Sequence, residues 1–233
     1  MFNMDDSKIF TTCQQEPKGM AVIDVEARKE IKMVPIKGGR AGGMDPQGKY
    51  FMVSASKSVH FFDSQTAELV KTIKVPGGGG NFTCLKDGSK CYVGLRKANA
   101  VGVIDMAKLE LMKTIETGPD ANRLYLNPGN SRYGLFANEA GKSDIVSIID
   151  TQLDVKVKDI WTGLGPHNVA FDPDGKFAVI STKKENVATL VDTGSADPND
   201  WDVITTDLDS GIQNNGVRWV PSPAALKKAL AQN

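Results

Sequence analysis

The chain has 233 residues, 40% of them hydrophobic, and its 28 lysines plus arginines balance 28 aspartates plus glutamates. That length and apolar content suit one folded domain with a sizeable core. The charge balance removes any overall pull towards nucleic acid or an anionic membrane, and no apolar run approaches the length that spans a bilayer.

From the start of the chain, MFNMDDSKIF lacks the basic-then-apolar pattern of a secretory leader. The expected location is periplasmic or extracellular if a leader was removed, and cytoplasmic otherwise. KIFTTC, MAVID and KEIKMVPI then read as three successive strands. Further strands follow in groups of four, separated by turn-forming segments: DPQG at 45–48, KDG at 86–88, NPGN at 127–130 and DPDG at 172–175. The stretch 144–181 shows the pattern most clearly. DIVSIID ends one strand on Asp150, VKVKDIW alternates apolar and polar, and NVAF and FAVIS flank DPDGK. Near the end, Ser222-Pro223-Ala224 opens a short helix to Asn233, with serine as cap and proline at the first helical position.

Five strands end in an apolar residue followed by aspartate: Ile23-Asp24, Phe62-Asp63, Ile104-Asp105, Ile149-Asp150 and Val191-Asp192. The aspartates are 39, 42, 45 and 42 residues apart, within the range for four-stranded propeller blades. Two features recurring in fixed register establish the repeat. The order GPHNVAFDPDGKFAVIS…VATLVDT, with IVSIIDT one unit earlier, resembles the YVTN-type β-propeller repeat. That repeat occurs in surface-layer proteins and in the propeller domains of haem d1 and copper (nitrous oxide reductase) enzymes. The resemblance covers roughly residues 8–221. It implies an all-β propeller and is poorly specific for function, because one fold hosts many activities.

The first unit, 8–38, lacks a first strand, whereas Asn215-Gly216-Val217-Arg218-Trp219-Val220-Pro221 matches a first strand with nothing after it. Pairing 212–221 with 8–38 would complete a ring of five four-stranded blades and satisfy two sheet edges, the other blades spanning 39–77, 78–118, 119–163 and 164–211. The alternative is a piece of a seven-bladed ring, the commoner size in the family it resembles. Residues 222–233 are the expected C-terminal helix. The TGSADPNDWD loop of the last blade is longer than its counterparts, which suits either a tolerated insertion or a binding loop.

Innermost strands begin near a propeller's axis, so the residues just before their core positions approach the central channel. These are Arg40, Gly80, Asn122, His167 and Asn215, followed by Ala41, Asn81, Arg123, Asn168 and Gly216. The ten positions hold two arginines, a histidine, four asparagines and no carboxylate. Arginine offers a planar fork of donors suited to carboxylate or phosphate, and asparagine adds neutral hydrogen bonds. Arg40, Asn81, Asn122, Arg123, His167, Asn168 and Asn215 are therefore the candidate contacts to a small anionic ligand. The bland reading is a channel lining that is polar merely because it is wet.

Other chemistries find little support. Paired glycosidase acids are absent, with only Asp120 nearby. Two histidines, His60 and His167, cannot build a many-histidine copper centre, so the sequence requires no cofactor. The resemblance leaves His167 as an axial haem ligand at most, while His60 reads as structural. No nucleophile elbow, calcium loop or phosphate loop is present, and PGGGGN at 76–81 reads as a connection entering the channel. Cys84 and Cys91 flank one turn and read as two small buried thiols, a disulfide between them being the alternative. The sequence thus predicts a non-catalytic binding or scaffold module with a protein partner or small anionic ligand, without nucleic acid or a membrane span. The competing reading is a redox-associated propeller holding an anionic cofactor at the same mouth.

Overall fold

The computed structural model describes residues 1–139, 141 and 143–209. Its regular elements are nineteen antiparallel strands and two short 3-10 turns. The strands form five sheets in chain order. Sheet 1 holds β1 (Lys8–Cys13), β2 (Gly19–Asp24) and β3 (Lys29–Pro35). Sheet 2 holds β4 (Ala41–Met44), β5 (Tyr50–Ser54), β6 (Ser58–Asp63) and β7 (Leu69–Lys74). Sheet 3 holds β8 (Phe82–Cys84), β9 (Lys90–Leu95), β10 (Ala100–Asp105) and β11 (Glu110–Glu116). Sheet 4 holds β12 (Ala121–Leu126), β13 (Tyr133–Asn138), β14 (Ile145–Asp150) and β15 (Val155–Trp161). Sheet 5 holds β16 (Pro166–Phe171), β17 (Phe177–Thr182), β18 (Val187–Asp192) and β19 (Asp202–Asp209).

This is the five-bladed β-propeller that the repeat predicts. Among the described residues sheet 1 has three strands. The expected closing strand at 212–221, with its candidate Asn215, and the C-terminal helix at 222–233 lie outside the described residues.

The recurring aspartates have a local cause. Each ends the third strand of its blade and accepts backbone N–H groups from the turn that follows. Asp24 takes the N–H of Ala27, Asp63 those of Gln65 and Thr66, Asp105 those of Ala107 and Lys108, and Asp150 those of Gln152 and Leu153. Four residues beyond each of these aspartates the chain turns left-handed, at Arg28, Ala67, Leu109 and Asp154, with φ between 51° and 57°. The register slips at the same hairpins, so each is an Asx-started turn closed by a bulge. Within the long loop of blade 5, Trp201 is buried, donates Nε1–H to the Ser195 carbonyl at 2.9 Å and packs edge-on against Tyr133. Lys158 of blade 4 donates to the carbonyls of Asn199 and Trp201. That loop fastens blade 5 to blade 4.

Side chains alternate along the second strands and feed two seams at once. Phe51 and Val53 pack with Phe10, Met20 and Val22 of blade 1, while Met52 between them packs with Val93 and Leu95 of blade 3. Likewise Phe136 joins Tyr92, Val101 and Val103, whereas Leu135 joins Val169, Ile180 and Trp201. The fourth strands carry the exposed apolar residues Ile31, Leu69, Met112 and Trp161. His60 lies on β6 between Ser58 and Thr72 hydroxyls and stacks on Phe62, a structural setting in which burial pushes its imidazole down.

The expectation of two buried thiols is corrected. Cys84 and Cys91 face each other directly across β8 and β9 and are joined as a disulfide, while Cys13 is free. Direct opposition in an antiparallel pair brings the two β-carbons close enough for their sulfurs to bond. The bridge pins β8, at three residues the shortest inner strand, to its neighbour. A bridge closing so short a loop contributes about 2 kcal/mol through the unfolded chain. The Cys84→Ser/Cys91→Ser double variant should unfold at lower denaturant by that amount, and reductant should shift the parent but not the variant. Equal midpoints for parent and variant would contradict the assignment.

Candidate functional site

A cavity of about 320 Å³ is lined by residues of all five sheets: Thr12 and Gln14, then Arg40 to Gly42, then Gly79, Asn81 and Arg96, then Asn122 and Glu139, and finally His167 and Lys183. It is the mouth of the axis. The first strands enter there and the second strands end there, so two rings of residues converge.

Local backbone geometry sets the first ring. The glycine run before β8 lets the chain pass against blade 4: a β-carbon on Gly80 would lie 2.7 Å from the Asn122 carbonyl oxygen and 2.5 Å from the Gly94 α-carbon. That close approach lets the Asn81 N–H bond the Asn122 carbonyl at 2.9 Å, and the two amide side chains meet at 3.0 Å. Register shifts in β12 and β16 fall at Asn122 and at His167–Asn168. Asn122 thereby turns into the mouth, while Arg123, one residue on, is exposed with its guanidinium 5.2 Å from the Tyr125 ring centroid. Arg40, Asn81, Asn122 and His167 are thus brought together, and Arg123 is not. Asn168 stands behind His167 rather than in the lining.

A carboxylate sits at the centre of the mouth. Glu139, buried just beyond β13, accepts from the Asn122 amide and from His167 Nε2 at 2.8 Å on one oxygen. Its other oxygen faces Arg96 at 3.1 Å and Lys183 at 3.7 Å. Arg96 also grips Asp120, with Nε 2.6 Å from one carboxylate oxygen. Behind the histidine, the Tyr125 hydroxyl donates to the Asn168 carbonyl oxygen, which turns the Asn168 amide N–H towards His167 Nδ1 at 2.9 Å. With Nδ1 accepting from Asn168, the His167 Nε2–H donates a hydrogen bond to Glu139. Burial pushes the Glu139 carboxyl up, but His167, Lys183 and Arg96 together outweigh it and hold the group at about 2. Burial also raises the Tyr125 hydroxyl to about 12, so it remains a donor.

Glu139, Arg96, Lys183 and Gln14 escaped the reading of the first strands. A signal for them exists in the second. The residues just after β1, β5, β9, β13 and β17 are Gln14, Ala55, Arg96, Glu139 and Lys183, four of them polar. Register of the first strands alone does not reach this ring, because it lies at the ends of the second strands.

His167 has both ring nitrogens engaged, so binding a metal would require it to release Glu139 or Asn168. Among the described residues no group of three or more histidine, cysteine or acidic side chains could hold a metal ion. No helix among the described residues is long and apolar enough to cross a membrane.

No protein-family model matches the chain, and no curated protein matches it. Solved structures do. The chain is similar to Kuenenia stuttgartiensis hydrazine synthase, with a TM-score of 0.61 and 24% identity over 75% of this chain and 52% of that one. It thus spans about half the length of that protein. A functionally unknown protein from Desulfotomaculum acetoxidans DSM 771 matches with a TM-score of 0.68 and 13% identity over 88% of this chain and 68% of that one. A 6-phosphogluconolactonase-like protein from Bacteroides fragilis NCTC 9343 matches with a TM-score of 0.71 and 19% identity, over 91% and 70%. At these identities the likeness supports a propeller-type fold, and the finer repeat family stands as a resemblance.

Because the Glu139 carboxyl is held low, its stabilisation is complete above the ordinary carboxyl value of 4.5 and is lost as pH falls from there through about 2. A shift of that size is worth on the order of 2 kcal/mol after allowance for solvent screening. Denaturant unfolding of Glu139→Gln and parent should therefore differ most at neutral pH and converge towards pH 2. A difference constant across that range would assign the stabilisation to another group.

Proposed function

We propose that this chain is a non-catalytic binding module, a propeller disc whose polar channel mouth holds a small anionic ligand. The observation that carries this reading is Arg40. Its exposed guanidinium lines the mouth and has no ion pair among the described residues, whereas Arg96 is committed to Asp120 and Glu139. Lys183 lines the same cavity with only a long contact to Glu139. An anion carrying a carboxylate or phosphate would meet Arg40 and Lys183, with Asn81 and Gln14 as neutral neighbours. Glu139 itself is a strut rather than a reagent. Both its oxygens are already engaged, and a carboxyl held at about 2 has no proton to give at neutral pH.

The redox-associated alternative would place an anionic cofactor against Arg40, but an axial bond from His167 competes with that residue's hydrogen bonds. Enzyme names attached to similar structures come with identities too low to carry an activity to this chain.

Binding to the native state raises the melting temperature by mass action, by about 2.7 kcal/mol at a ligand concentration one hundred times Kd. Inorganic phosphate and succinate, each titrated at constant ionic strength, should raise the melting temperature of the parent, and Arg40→Ala should abolish the rise while melting normally without ligand. Absence of a rise in the parent, or equal rises in parent and variant, would refute an anion site at the mouth.

A further inference from the structure

The opposite face of the disc carries the hairpins between first and second strands, and these normally interlock from blade to blade. Four residues occupy one slot at the start of this hairpin, Asp45, Leu85, Asn127 and Asp172, since each donates its N–H to the first residue of the following second strand (Tyr50, Lys90, Tyr133 and Phe177). A second slot holds Gly48, Gly88, Ser131 and Gly175, each donating back to the first slot's carbonyl. In three blades the first slot is Asx and its side chain accepts turn N–H groups. The glycine of the second slot accepts a neighbour's side chain. A β-carbon on Gly88 would fall 1.9 Å from Gln47 Oε1 of blade 2, and one on Gly175 would fall 1.8 Å from Asn127 Oδ1 of blade 4.

Among the three seams whose hairpins lie within the described residues, both rules fail together at one. Between blades 3 and 4, leucine replaces the Asx at 85, and Ser131 with an added residue replaces the glycine. That slot thus has no bare α-carbon for blade 3 to cover, Gly129 of the same turn lying against Asp174 of blade 5 instead, and the two hairpins stand apart. The gap is a cavity of about 610 Å³, within the size range of small-molecule sites. Leu85 and Leu126 form its floor, both packed on the seam core of Tyr92, Leu124 and Phe136. Its lining presents Lys86, Lys90 and Arg132 against the single carboxylate of Asp87. Behind it, Asp150 and Asp154 are already paired with Arg132 and Lys90, and Asp87 is turned onto Ser89. Lys86 has no partner among the described residues and is exposed. A half-buried leucine placed where the repeat supplies a turn-forming Asx forfeits local hydrogen bonds and leaves part of its apolar surface lining the cavity, a departure characteristic of a functional position.

We propose that this seam is a second ligand site, separate from the channel mouth, for a small amphipathic organic anion. Its aromatic or aliphatic body would lie on Leu85 and Leu126, and its carboxylate or sulfonate would meet Lys86 and the open side of Arg132. The site stands whether or not the mouth binds an anion.

The test uses the whole chain and the fluorescent aromatic sulfonate 8-anilinonaphthalene-1-sulfonate, with octanoate as competitor. The parent should bind the dye saturably at one site, and octanoate should displace it. Leu85→Asp, which installs the residue found in blades 2 and 5, should weaken binding at least tenfold while melting like the parent. Lys86→Glu, at an exposed position, should weaken it several-fold, and uncharged N-phenyl-1-naphthylamine should bind less tightly than the sulfonate. Leu69→Ser, on the exposed outer strand of blade 2, should leave the titration unchanged. The proposal is overturned if the parent shows no saturable binding, or if Leu85→Asp and Lys86→Glu both bind within twofold of it. It is equally overturned if the uncharged dye binds as well as the sulfonate, or if Leu69→Ser costs as much as Leu85→Asp.

Discussion

A buried negative charge at the hub of the disc organises its polar interior. Glu139 could not remain ionised in that position alone, because removing a carboxylate from water is far more costly than any one contact returns. It is kept ionised by groups from three blades: Arg96 from blade 3, Asn122 from its own, and His167 and Lys183 from blade 5. Each is in turn fixed by what Glu139 accepts from it. The Asn122 rotamer is set by this carboxylate, while the imidazole is held between it and Asn168, and Arg96 between it and Asp120. Arg40 faces the same space from blade 2 and takes no part, so the mouth has a rigid side and a free side.

That arrangement would let the proposed binding role coexist with a structural role in a few residues. A fully satisfied network resists rearrangement, and a ligand gains little by competing with it. The proposed contact therefore falls to the unengaged cation, with the network as a fixed wall beside it. The far face is organised by different means: among the described residues, hairpins dock on one another between blades 2 and 3 and between blades 4 and 5, and stand apart between blades 3 and 4.

The architecture was legible because its signals are local and repeated. The aspartates that end the third strands each satisfy turn N–H groups a few residues away, so their period could be read without knowing any tertiary contact. The channel mouth was legible in part. Register placed Arg40, Asn81, Asn122 and His167 together, yet it put Arg123 beside them because bulges in β12 and β16 rotate side chains in a way that spacing does not encode. Glu139 was overlooked since it belongs to the end of a different strand, forty or more residues from Arg96 and twenty-eight from His167 in sequence. Cys84 and Cys91 are legible as flanking one turn, but spacing along the chain does not give the separation of their β-carbons, on which bonding depends.

The alternation of second-strand side chains between neighbouring seams has a further meaning. Phe51 and Met52 are adjacent in sequence but belong to different hydrophobic clusters, and the same holds for Leu135 and Phe136. A blade consequently has no interior of its own. The unit that excludes water is the seam, made half from one repeat and half from the next, so an excised blade would expose two half-cores and hold neither. Variation in such a chain must be matched across seams rather than within repeats: a larger residue at Met52 has to be accommodated in blade 3, and a larger one at Phe51 in blade 1. The sequence repeats by blade, but its constraints are inherited by neighbours.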